Sequence, residues 1–266
     1  MSSDNPAETY ESYMVPVLFT PWANRLLAAT SLRAGERVLD VACGTGAVAR
    51  RAAALLGRGA AVAAVDLNAN MLAVARAAAA REGLEIDFRE ARAESLPFAD
   101  HDFDLVTCQF GLMFFADRAA ALREMRRVAK RSGRIALAVF AGLERHPFYQ
   151  RLHEVVQVRL GISALEQIFS LGDADRLRDM LDGAGFSAVA IEPQAMSARF
   201  PDPDAFLAGE IAVDTAAIPA LQQLDASARR RVTDAIAAEM TAPMRERVRD
   251  GCVELDFHVL LASARA

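Results

Sequence analysis

The chain has 266 residues, 53% of them hydrophobic and 24% charged, with a formal net charge of −5. This composition fits a globular protein and excludes a disordered chain. The acidic balance argues against a nucleic-acid-binding face, and apolar runs such as 77–80 and 135–140 are too short to cross a bilayer. In chain order, residues 1–30 bring Tyr10, Tyr13, Phe19 and Trp22 together in a segment expected to be a helical lid. Arg37–Val41 is a short apolar strand, and a helix over 45–56 stops at Gly57. A second strand covers 61–65, and Asn68 caps a helix that runs to about Glu82 and ends at Gly83. Residues 85–89 alternate, with Ile86 and Phe88 on one face, and Phe103–Gln109 is the fourth strand. Asp117 caps a helix through Lys130, with Leu122, Met125 and Ala129 on one stripe and Gly133 as its end; 134–140 is the fifth strand.

Beyond this core, helices are expected over 148–169 and 173–183, and a strand over 188–192. Pro201, Pro203, Pro219 and Pro243 punctuate a helical stretch over 202–249, with Val232, Ile236 and Met240 on its apolar face. Val253, Leu255, Phe257, Val259 and Leu261 then alternate as a strand does. Repeated switching between the two periods marks an α/β fold: a doubly wound, Rossmann-like, mostly parallel sheet with an antiparallel last strand and a helical cap. The expected division is an N-terminal helical lid (1–30), a core (31–196), a helical cap insertion (197–251) and a final core strand (252–266).

The most informative segment runs from Val38 to Gly46, a strand that enters a glycine loop and then a helix. Glycines tolerate positive φ and let a ligand approach the backbone, and in open α/β sheets ligands sit at the carboxyl ends of the strands. Asp66, at the end of the second strand, can accept hydrogen bonds from both hydroxyls of a ribose. Gly44-Thr45-Gly46-Ala47-Val48-Ala49 also fits the dinucleotide pattern G-x-G-x-x-A, which keeps an NAD-dependent oxidoreductase as an alternative. Asp40 favours the other reading. A carboxylate beside the loop suits a ligand with an ammonium and a sulfonium, as in S-adenosylmethionine (SAM), and repels a pyrophosphate.

These residues resemble class I SAM-dependent methyltransferases, with greatest similarity to the ubiquinone/menaquinone-biosynthesis-type group and its small-molecule relatives. The resemblance rests on VLDVACGTG (38–46), Asp66-Leu67-Asn68 with Met71-Leu72, Ala93-Glu94-Ser95-Leu96-Pro97-Phe98, Phe103-Asp104-Leu105-Val106, Cys108-Gln109-Phe110-Gly111-Leu112 and Arg123–Val128. It implies SAM as cofactor. Asp40 and the loop residues Ala42, Gly44, Thr45 and Gly46 would hold its methionine end, and Asp66 its ribose. Leu67 and Met71 would pack on the adenine, Ala93 would meet the adenine edge through its N–H, and Gln109 would sit near the methionine moiety. The family has Asp where this chain has Arg92, so either Glu94 substitutes or that contact to adenine is missing. A non-catalytic SAM-binding protein is the remaining alternative.

For the methyl acceptor, Tyr10, Phe19, Trp22, Met113, Phe114 and Phe148 offer an apolar, aromatic supply that suits a small, fairly apolar metabolite. Tyr10 and Trp22 read equally as a lid and as a helix docked on the core, and one of Phe114 and Phe115 is expected to serve packing. His146, after the fifth strand, is a candidate general base or a histidine with a purely structural bond. Cys43, Cys108 and Cys252 show no metal-ligand spacing; they suit reduced, inert thiols in a cytoplasm, and no metal site is expected.

Overall fold

The computed structural model describes residues 5–163, 165–217 and 223–266. The chain begins with α1 (Pro6–Thr9), a π-helical stretch (Tyr10–Phe19) and α2 (Thr20–Ala29). The other helices are α3 (Ala47–Leu56), α4 (Ala69–Arg81), α5 (Arg118–Val128), α6 (Pro147–Leu160), α7 (Ala174–Gly183), α8 (Pro203–Ala217) and α9 (Ala226–Arg245). The strands are β1 (Arg37–Val41), β2 (Ala61–Asp66), β3 (Asp87–Glu90), β4 (Phe103–Gln109), β5 (Ala129–Phe140), β6 (Ser187–Pro201), β7 (Val248–Arg249) and β8 (Cys252–Arg265). They form one eight-stranded sheet in the order β3-β2-β1-β4-β5-β8-β6, with β7 paired to β8.

β1 to β5 pair in parallel, and β8 runs antiparallel to both β5 and β6. Helices cover both faces of the parallel part, which explains why β1, β2 and β4 are near-continuous apolar runs. Local signals set the helix starts. Asn68 accepts from the N–H of Asn70 and Met71, Asp117 from Ala120, and Asp173 from Asp175 and Arg176. Each such cap contributes about 1 kcal/mol. The strand order reverses between β1 and β4, so the crevice at their carboxyl ends is where this architecture accepts a ligand.

Three expectations need correction. The helix expected to reach Lys130 and end at Gly133 stops at Val128, and β5 begins at once with Ala129. The turn before β4 takes over the capping: His101 and Asp102 donate N–H to the carbonyls of Arg127 and Val128. The helix expected over 148–169 ends at Leu160, where Gly161 adopts φ 68. Residues beyond it still bury Leu165, Phe169 and Leu171. The strand expected over 188–192 runs on to Pro201, so residues 197–201, assigned to the cap, belong to the sheet. β6 is an edge strand, where Pro193 and Pro201 cost no ladder bond on the open side. The cap between β6 and β8 is α8 and α9, with Ile236 and Met240 buried as expected; Pro219 lies outside the described residues.

Candidate active site

The loop after β1 is built on backbone that side chains avoid. Gly44 and Gly46 have φ 55 and 84, and Ala42, which is not glycine, has φ 56. Beside it, at the end of β4, Phe110 has φ 54. Left-handed geometry costs a non-glycine residue about 1–2 kcal/mol, so two strained residues stand side by side at the switch point. Gly111 keeps the two loops in contact, since a Cβ there would lie 2.5 Å from the Cβ of Ala42. Gly46 starts α3 and lets the helix close on the Phe88 ring, 3.3 Å from where a Cβ would stand.

A cavity of about 670 Å³ opens over these loops and extends across the carboxyl ends of β4 and β5 to Phe257 in the amino-terminal half of the antiparallel β8. Such a volume suits a small-molecule site. Asp40, Ala42, Gly44, Thr45, Asp66, Leu67, Met71, Ala93, Glu94 and Gln109 line it; Gly46 does not. Asp66 ties the loops together: its carboxylate accepts from the N–H of Gly44 and of Asn68, both at 2.8 Å. Burial raises its pKa above the ordinary value, against the pull of those backbone bonds. Asp40 lies beneath the loop, 1% exposed, and accepts from Thr107 Oγ1 at 2.9 Å and from the Ala49 N–H at 3.2 Å. Burial pushes its pKa up to about 7.

Two buried polar atoms on the cavity wall, Thr45 Oγ1 and Gln109 Oε1, have no hydrogen-bond partner within the protein. Buried polar groups are almost always paired, so these atoms suit a ligand with polar groups of its own. The Gln109 amide donates instead to the carbonyl of Phe19, pinning the N-terminal segment to the end of β4. Glu94 is committed elsewhere: it accepts from the N–H of Ala116 and Asp117 and pairs with Arg92 at 3.6 Å. It is therefore spent on the entry to α5 rather than offered to an adenine edge.

Of the residues expected on the acceptor side, Tyr10, Phe19 and Phe114 line the cavity. Tyr10 lies over the glycine loop, its hydroxyl 4.0 Å from where a Cβ on Gly44 would stand, and its ring packs on Phe19 at 4.8 Å. Burial, then the nearby Asp66 carboxylate, keep its hydroxyl protonated. Trp22, Met113 and Phe148 are buried behind the wall and do not line the cavity. Trp22 meets Phe110 edge-on at 6.4 Å, and Phe148 packs on Tyr149 and Phe206. The wall itself is Phe110 stacked on Phe140 at 4.2 Å, continued by Phe169 and Phe257. The aliphatic residues Met14, Leu18 and Ile168 and the buried Glu210 complete it. Sequence reasoning missed most of these, because Phe169 reads as helix interior and Glu210 as a solvated helix face.

His146 does not line the cavity. It is 1% exposed, its Nδ1 donates to the carbonyl of Gly142 and its Nε2 accepts from the His258 N–H, both at 3.1 Å. Both ring nitrogens are used, so no lone pair remains for general-base work, and the expectation of a catalytic His146 gives way to a structural role. Burial lowers its pKa from 6.5 to about 4. The neutral ring therefore supports the fold fully above pH 6.5, and the support is lost as pH falls through about 4. His146→Ala is expected to cost about 2–4 kcal/mol of stability through lost packing and two orphaned backbone groups. Its affinity for S-adenosylhomocysteine should stay within about twofold, since nothing on the cavity wall changes. Thermal melts and calorimetry on one preparation check both; a hundredfold loss of affinity with an unchanged Tm would restore a role in the site. Burial also raises the thiols of Cys43 and Cys108, which makes them inert.

A doubly wound sheet whose switch point presents buried carboxylates beside a glycine loop is that of a class I SAM-dependent methyltransferase. A methyltransferase-domain family model matches residues 39–137. The chain is 33% identical over 181 residues to the ubiquinone/menaquinone biosynthesis C-methyltransferase UbiE of Pseudoalteromonas translucida, covering 62% of this chain and 72% of that one. It superposes on a Bacillus halodurans protein classed as a methyltransferase with a TM-score of 0.60 at 25% identity, over 91% of this chain and 97% of the other. It shares its fold, at 19% identity and a TM-score of 0.57, with Haemonchus contortus phosphoethanolamine N-methyltransferase 2, solved with SAM bound; the match covers 92% of this chain and 52% of that one. The chain belongs to the SAM-dependent methyltransferases of the ubiquinone/menaquinone-biosynthesis type. Among the described residues no helix is long and apolar enough to cross a membrane.

Proposed function

We propose that this enzyme methylates a small, mostly apolar aromatic metabolite, and that it works in the cytoplasm with its three cysteines reduced. The observation that carries this reading is the division of the cavity. One end is the glycine loop with Asp40, Asp66, Thr45 and Gln109, and the other is the wall of Phe110, Phe140, Phe169 and Phe257. At the first end Asp66 receives the ribose hydroxyls, while Asp40, Thr45 and Gln109 face the amino-acid end. Leu67 and Met71 pack on the adenine, and the N–H of Ala93 meets its edge. SAM supplies an activated methyl on a sulfonium, so the protein's task is proximity, alignment and exclusion of water. Tyr10 and Phe19 cover the loop from above, and the phenyl wall holds the acceptor plane. Arg50, paired with Glu11 at 2.7 Å, holds that cover on α3. The name of the 33%-identical relative, a C-methyltransferase, makes carbon the first atom to examine.

Calorimetric titration with S-adenosylhomocysteine, followed by turnover assays with quinols, phenols, amines, peptides and RNA, tests the reading. Binding of the nucleoside with turnover confined to quinols or phenols is the expected result. Turnover of peptides or RNA alone would overturn it.

A further inference from the structure

Gln109 closes β4 on the cavity wall, and the two ends of its amide do different things. The Nε2 donates to the carbonyl of Phe19 at 3.0 Å. A carbonyl only accepts, so the amide nitrogen must face Phe19 and the oxygen is left over. That oxygen, Oε1, is buried and has no hydrogen-bond partner within the protein. Side chains alternate along a strand, so Gln109 lies on the same face as Thr107, whose hydroxyl bonds the Asp40 carboxylate. Phe19 ends the π-helical stretch that covers the glycine loop. Its ring packs on Tyr10 at 4.8 Å and meets Phe110 edge-on at 5.8 Å. Near the start of the same stretch Glu11 pairs with Arg50. The cover is thus tied down at both ends, and of these two anchors only Gln109 lines the cavity.

Resting on the reading above, we propose that Gln109 is the positioning residue that couples recognition of the amino-acid end of SAM to closure of the N-terminal cover. Its Oε1 receives the ligand's ammonium while its Nε2 holds the Phe19 carbonyl. An ammonium suits this oxygen, because it brings donors only and carries the charge that Asp40 attracts. The oxygen is already shielded from water, so a bond made to it displaces no solvent and satisfies an acceptor that folding left unpaired. Accepting from a cation also polarises the amide and strengthens the bond that its nitrogen donates to Phe19. A ligand amine reaches the shielded oxygen only by moving against the cover. Filling the amino-acid end and seating Tyr10 and Phe19 over the loop are therefore one event.

The test compares S-adenosylhomocysteine with 5′-methylthioadenosine, which lacks the amino-acid end, on the full chain. Calorimetry gives the affinities, and amide hydrogen exchange reports on residues 10–19. In wild type, S-adenosylhomocysteine is expected to slow exchange in that segment about tenfold more than 5′-methylthioadenosine does, the worth of a hydrogen bond to a charged group. Gln109→Glu keeps an acceptor for the ammonium but turns an oxygen towards the Phe19 carbonyl. It should bind S-adenosylhomocysteine at least as tightly as wild type, while the extra protection disappears. Gln109→Met removes both bonds. It should lose about tenfold or more in affinity for S-adenosylhomocysteine and keep its affinity for 5′-methylthioadenosine, which also shows that it is folded. Equal protection of wild type by the two ligands overturns the proposal, as does an unchanged ratio of the two affinities in Gln109→Met. Failure of wild type to bind either nucleoside would instead overturn the functional reading on which the proposal rests.

Discussion

Asp66→Ala is expected to weaken S-adenosylhomocysteine binding by about a hundredfold or more. Asp66 is positioned to act twice. It can receive the ribose, and it already holds the N–H groups of Gly44 and Asn68 that shape the loop. Hydrogen bonds to a charged acceptor are worth about 1.5–3 kcal/mol each, so losing the ribose contacts alone approaches the stated factor. The ligand-free protein should be less affected. Burial raises the pKa of Asp66, so its charge costs stability at neutral pH, and removing the charge offsets part of the loss of the two backbone bonds. Calorimetry gives the affinity and a thermal melt gives the stability. An affinity within threefold of wild type would remove Asp66 from the ligand site.

Asp40→Asn is expected to make the ligand-free protein more stable and the enzyme worse. The folded pKa of about 7 stands above the ordinary 3.8, with burial as its main cause. The favourable contribution of the protonated carboxyl is complete below pH 3.8 and is lost as pH rises through 7. An amide carries no such cost. Its oxygen can accept from Ala49 and its nitrogen can donate to Thr107, so the isosteric change keeps both bonds. By pH 8 the variant should exceed wild type by on the order of 2–4 kcal/mol, and the difference should vanish near pH 4. Binding of SAM runs the other way. A cation drives Asp40 to ionise, so wild-type affinity should rise by up to about tenfold per pH unit between about pH 5.5 and 7. In Asp40→Asn the affinity should be weak and nearly flat over that window. A flat wild-type profile would show that the carboxylate does not sense the ligand.

The half of the molecule legible in the sequence is the half whose signals are local. β1, β2 and β4 are apolar runs bounded by turn residues, and Asn68, Asp117 and Asp173 announce their helices by capping chemistry. The end of α5 was hidden because its carbonyls are capped by His101 and Asp102, far earlier in the chain. The length of β6 was hidden because its pairing with β8, rather than its composition, makes it a strand. Nothing in the side chains from Tyr10 to Phe19 marks a π-helix, which no sequence period here distinguishes from an α-helix. Glu210 shows the limit most clearly. A glutamate in a helix reads as surface, and only the arrangement of α8 over Tyr149 and Tyr13 makes it a lining group. His146 shows the converse: a loop position after a strand suggested a ligand-facing residue, while the Gly142 carbonyl and the His258 N–H turn the ring into the core.

The place of β8 has a consequence for how the chain is made. β1 to β4 join through short crossovers, whereas β5 meets β8 with Arg134 opposite Arg265 and Phe140 opposite Val259. Long-range pairings of this sort close late. As the ribosome delivers the chain, the glycine loop and Asp66 can take shape while residues 252–265 are still unmade. Phe257, and the surface on which β6 docks, arrive only with that last strand. The nascent protein should therefore acquire its grip on the nucleoside before it has a wall against which to hold an acceptor.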